Sequence, residues 1–120
     1  MIVGSQGLIF SIAEIILVRI FPLKNMKVAL LRMHVQFPGS DSLKAKRRRL
    51  KPFLARLQKE FNVSAAEVDY QDRWQDALVA CALVSNANGH AEQSLQKLIR
   101  WVDRNWRDVD LVEEQIEILQ

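Results

Sequence analysis

The sequence predicts an α+β domain: a four-stranded antiparallel sheet with two helices on one face. Three observations predict it. Residues 27–37, KVALLRMHVQF, alternate with period two. Two later stretches, 43–61 and 90–106, carry apolar residues at helical spacing. Between them lies a run, ALVACALV at 77–84, that is apolar on both faces. Period two marks a strand and period 3.6 a helix, and a strand without a polar face belongs in the middle of its sheet.

In the first strand Ala29, Leu31, Met33, Val35 and Phe37 share one face. Val28, Leu30, Arg32, His34 and Gln36 share the other, apolar early and polar later. The turn residues Pro38, Gly39, Ser40 and Asp41 end it. Ser42 is placed to cap a helix with its hydroxyl. Leu43, Leu50, Phe53, Leu54, Leu57 and Phe61 then form one apolar stripe. Pro52 interrupts this helix but projects opposite the stripe, where a helix bent around its core tolerates it. The expectation is one bent helix rather than a late start near Lys51.

Residues 63–70 read as a second strand, and 71–75 as a polar turn around Trp74. The apolar third strand at 77–84 and a loop at 85–89 follow. The second helix, 90–106, turns Ala91, Leu95, Leu98, Val102 and Trp106 inward and Gln93, Lys97, Arg100, Arg104 and Arg107 outward. The last strand, near 109–119, is rich in acids, as befits an edge. The order β-α-β-β-α-β is the split βαβ, or ferredoxin-like, plan, with the first and third strands central.

With 120 residues, the chain suits one core, not two. The single cysteine, Cys81, excludes an intrachain disulfide framework and fits a reducing cytosol. With only two histidines besides, no zinc signature can be assembled, and no metal or other cofactor is expected. Neither a P-loop nor a dinucleotide fingerprint is present. Residues 8–18, LIFSIAEIILV, are apolar but too short to span a bilayer and carry Glu14, so no membrane association is expected. Residues 1–25 read as an N-terminal extension and 26–120 as the domain, with Met26 the expected natural start.

Three motifs occur in order: PGSDSLKAKRRRLK, FNVSAAEVDYQDRWQDA and VSNANGHAEQSL. Over nearly all of residues 26–120 the chain resembles the YlxP-like family, a bacterial domain of unknown function. The resemblance implies a ferredoxin-like fold. It also implies genomic company with translation initiation and ribosome maturation, which is association rather than mechanism. It brings no activity, cofactor or catalytic residue. Pro52 departs from the family's usual first helix.

Charge is distributed unevenly. Residues 26–61 carry ten Lys or Arg against two acids, and residues 62–120 five against eleven. The densest run is Lys44, Lys46, Arg47, Arg48, Arg49 and Lys51, six cations in eight residues at a helix start. Such a run suits phosphate groups, which arginine grips with two donors. The competing expectation is a solvated face, with Lys46 and Arg47 neutralised by Asp69 or Asp72. An RNA-recognition sheet would show exposed aromatics, and the first and third strands offer none, so any RNA contact falls to the helix and loop edge.

A second cluster, Asp69, Asp72, Trp74 and His90, is a candidate pocket. Carboxylates beside a histidine suit acid–base work or Mg²⁺, but the spacing is not that of a calcium loop. The competing expectation is a β-turn anchored by Trp74, with His90 closing a helix start. His34 is expected to be exposed or satisfied and Cys81 to be buried.

The leading expectation is therefore a small cytoplasmic, non-enzymatic accessory protein that contacts RNA or the ribosome through its basic first helix. The first rival is an enzyme acting on a small phosphorylated substrate where Lys46, Asp69, Asp72 and His90 converge. The second is a homo-oligomeric interaction module, such as a homodimer pairing through Val28 and Leu30 on the open sheet.

Overall fold

Ten residues from Lys27 pair on both sides along nearly their whole length, because each successive side chain serves a different layer. The computed structural model describes residues 26–87 and 89–119. The expectations for residues 1–25 lie outside them. The elements run β1 (Lys27–Gln36), α1 (Leu43–Phe61), β2 (Ser64–Asp69), β3 (Asp76–Ser85), α2 (His90–Asn105) and β4 (Asp110–Leu119). They form one sheet in the order β2-β3-β1-β4, every pair antiparallel. This is the expected ferredoxin-like α+β plan, with β1 and β3 central and the acidic β4 at an edge.

The core lies between the sheet and both helices. Ala29, Leu31, Met33 and Val35 of β1 and Ala77, Val79, Cys81 and Leu83 of β3 are buried against Leu50, Phe53, Leu57, Leu95, Leu98 and Val102. The opposite face of the sheet is open. It carries Val28, Leu30, Arg32, His34 and Gln36 beside Asp76, Leu78, Ala80, Ala82 and Val84. The third strand is thus central in the plane of the sheet, as its composition predicts. Its outer apolar face is nevertheless only half-covered, and Val84 is 64% exposed.

Ser42 caps α1, its Oγ accepting from the Ala45 N–H at 3.0 Å. The helix continues through Pro52, which is exposed on the outer side. Leaving the helix, Asn62 adopts a left-handed φ of 52° and donates its N–H to the Gln58 carbonyl. Gly89, with φ 74°, provides the corresponding left-handed step into α2, where any β-carbon would be strained. The helices pack through edge-to-face aromatic pairs, Phe53 with Trp106 at 5.4 Å and Phe61 with Trp101 at 5.7 Å.

Candidate polyanion-binding surface

The six cations at the start of α1 divide by helical phase. Residues 46, 50, 53 and 57 share one stripe, and all four are buried. Lys46 therefore belongs to the core side of the helix, with 0% of its surface exposed. Its ammonium donates to Glu67 Oε2 at 2.8 Å and to the carbonyls of Tyr70 and Asp76, each at 2.9 Å. Three donors meet three acceptors, which removes the large penalty of an unpaired buried charge.

Lys46 thus ties the end of β2 to the start of β3. Between those strands, Tyr70 sits at φ 66°, a left-handed conformation costing a bulky residue about 1–2 kcal/mol. Lys46 holds its carbonyl, Asp69 Oδ1 accepts its N–H at 2.7 Å, and Arg73 stacks over its ring at 3.9 Å. The acidic partner of Lys46 is Glu67 rather than Asp69 or Asp72. The ammonium is saturated, so it is not available to a phosphate.

Arg49 is also occupied. It donates to the Pro38 carbonyl at 2.6 Å, to Ser40 Oγ at 3.0 Å and to the Asp108 carbonyl at 2.6 Å. It fastens the turn after β1 to the loop before β4, with its guanidinium 5.5 Å from the Phe37 ring centroid. Lys44, Arg47, Arg48 and Lys51 differ. All four are exposed, and among the described residues none makes a side-chain bond or ion pair. Arg47 pairs with neither Asp69 nor Asp72. Lys44, Arg48 and Lys51 lie on the stripe opposite the core, which Lys59 continues toward the end of the helix.

The outer side of α2 carries Lys97, Arg100 and Arg104, also exposed. With Phe61, Trp101 and Asn105 they line a groove of about 350 Å³ beside the α1–α2 contact. Arg56 of α1 reaches across, its guanidinium 5.4 Å from the Trp101 ring centroid. The division of charge along the sequence therefore changes in space. The cations of α2 join those of α1 on the helical layer, while Asp110, Glu113, Glu114 and Glu117 stay with β4 at the sheet edge.

The second cluster does not assemble. Asp69 and Asp72 are exposed at the β2–β3 turn, and Trp74 is 56% exposed rather than packed as an anchor. His90 sits at the other end of β3, where its Nδ1 lies 3.2 Å from Ser85 Oγ. Asp76 and Ser85 are the two ends of a ten-residue strand, about 30 Å apart. Lys46, which bonds the Asp76 carbonyl, is thus far from His90. Among the described residues no three His, Cys, Asp or Glu side chains gather as a metal site, and no helix is long and apolar enough to cross a membrane.

Sequence reasoning did not foresee one polar cluster on the open sheet. His34 Nε2 lies 2.7 Å from Asp76 Oδ1, which also accepts from Gln36 at 3.0 Å. Burial opposes the Asp76 carboxylate. Hydrogen bonds from His34 and Gln36, with the positive charge of His34 and Arg73, outweigh it and hold Asp76 below its ordinary value of 3.8. Beside it, Arg32, His34, Tyr70 and Gln115 line a shallow cleft of about 190 Å³. The missing signal was register: His34 stands opposite Leu78, diagonal to Asp76, only once β1 and β3 are paired.

A family model described as "Protein of unknown function (DUF503)" matches residues 28–116. A curated relative, "Uncharacterized protein YlxP" of Bacillus subtilis (strain 168), is 44% identical over 64 residues, covering 53% of this chain and 70% of that protein.

Proposed function

The chain belongs to the DUF503 family, and from that premise we propose that it is a small cytoplasmic, non-enzymatic protein that contacts RNA, free or in the ribosome, through the outer ridge of α1. One observation carries the reading. Lys44, Arg47, Arg48 and Lys51 are exposed and unpaired among the described residues, on a helix whose other two cations in the run are consumed internally. Four unpaired cations spread over about two turns of helix suit an extended chain of phosphates better than one small anion. Binding of this kind reads backbone and shape and releases counterions.

A filter-binding titration at several salt concentrations tests it. Four phosphate contacts give a slope of log affinity against log salt near −3 to −4. Changing the four residues together to Gln abolishes most of that slope. Unchanged affinity in that variant would end the reading, as would equal binding to every polyanion offered.

One observation favours self-association as a second reading. The open face exposes Val84 at 64% and Leu119 at 44%, beside the half-buried Val28 and Leu30. Light scattering decides it: a monomer at all concentrations excludes this face as a dimer contact.

A further inference from the structure

We infer that the groove between α1 and α2 receives an unpaired base of a single-stranded RNA, whose backbone is held by the cations on either side. The inference deepens the RNA-binding reading of the α1 ridge and rests on it. The groove combines two features that together suit a nucleotide. Its floor is aromatic, with Phe61 and the half-buried Trp101 in edge-to-face contact at 5.7 Å. Its rim is cationic, with Lys97, Arg100 and Arg104 exposed and making no side-chain bond among the described residues.

A volume of about 350 Å³ falls within the range of clefts that hold small planar ligands. An aromatic platform under a positive rim is how sequence-tolerant single-strand sites work: the base rests on the ring and the phosphates meet the rim. Arg56 already lies near the Trp101 ring, its guanidinium 5.4 Å from the centroid, and its planar head is of a kind that stacks on bases. Among the described residues its only other bond is an exposed one to Glu60 at 3.3 Å, which is weak. A duplex cannot use the floor, because its bases are stacked and paired. Without a base seated in the groove its backbone is not drawn along the rim, and it is left with the α1 ridge. The groove therefore predicts discrimination between strand forms, which the α1 ridge alone does not.

The whole chain is titrated with a labelled short single-stranded RNA and with the same strand annealed to its complement. The unaltered protein is expected to favour the single strand. Trp101→Leu is expected to weaken single-strand binding about tenfold and duplex binding little. Trp101 also supports the helix contact, so a surface variant serves beside it. Lys97→Gln with Arg100→Gln and Arg104→Gln, which touches no core residue, is expected to narrow the preference by a similar factor while circular dichroism stays unchanged. Equal affinity of the unaltered protein for both forms overturns the inference and leaves the ridge reading standing, as does a preference that survives the triple change. Absence of binding to either form overturns the ridge reading itself, and this inference with it.

Discussion

The inner and outer sides of α1 use the same residue type in opposite ways. On the inner side Lys46 is wholly buried and holds Glu67 and two backbone carbonyls. On the outer side Lys44, Arg48 and Lys51 hold nothing among the described residues. The difference is one of phase rather than composition, since a shift of two residues carries a side chain across the helix. A basic run is therefore not one functional unit. Part of it is structural, and only the part facing away from the core is available to a partner.

The comparison breaks most sharply at Lys46. Lys46→Met removes the charge but keeps the stem, leaving two carbonyls and the partly buried Glu67 without their donor. A loss of about 3–5 kcal/mol in denaturant unfolding is expected, because one partner of a buried pair is removed. A loss under about 1 kcal/mol would mean that these groups find water instead, and that the inner side is less distinct from the outer than the geometry indicates.

Arg49 is intermediate, part-exposed yet fully engaged. Arg49→Ala frees the turn at Pro38 and the loop at Asp108 from each other. An expected loss of about 1–3 kcal/mol reflects three donated hydrogen bonds from a charged group, with the ion pair to Asp108 at 3.6 Å adding little. RNA affinity should fall far less in this variant than in the four-residue variant of the outer ridge. An equal fall would place Arg49 among the contacting cations.

How much of this was legible follows the same division. All six elements could be read because each leaves a signal within its own segment, periodic in β1 and both helices and apolar throughout in β3, and the central places of β1 and β3 followed from the β-α-β-β-α-β order. Ser42, Pro52 and the apolar third strand carried that information locally. The cation run was legible as a run, and its split only in part: by phase Arg49 falls on the solvent side and Lys46 and Arg47 at the borders of the apolar stripe, whereas Arg49 is engaged at two loops, Arg47 is exposed and the buried one is Lys46. Its partner was not legible, because Glu67 reaches Lys46 only after β2 has joined the sheet. The expected site at Asp69, Asp72, Trp74 and His90 failed for a related reason. Residues that flank β3 in sequence are separated by its full length in space. Conversely, His34 and Asp76 are 42 positions apart and meet across two paired strands.

The Asp76 cluster gives a further, smaller test. Its carboxyl titrates lower in the folded protein than in the unfolded chain, so the unfolded state binds the proton more tightly. The stabilisation is complete above the ordinary value of 3.8 and is lost as pH falls through the lower folded value. Asp76→Asn should flatten the acid limb of stability against pH. An unaltered acid limb would assign that limb to other carboxylates and separate the open sheet from the polar networks that support the fold.

The smallest effect is expected on the outer ridge, and its sign is informative. Lys44 and Arg48 are four residues apart, as are Arg47 and Lys51, and like charges at that spacing destabilise a helix by about 0.2–0.5 kcal/mol per pair. Changing all four to Gln should therefore leave stability unchanged or raise it by up to about 1 kcal/mol at low salt, and the gain should shrink as salt screens the repulsion. A thermal melt at two ionic strengths reads both. If the variant were instead markedly less stable, these cations would be bonded within the fold, and the ridge would resemble Lys46 rather than oppose it. A small gain in stability joined to a large loss of RNA binding would mark charges kept for contact with a partner at the expense of the helix that bears them.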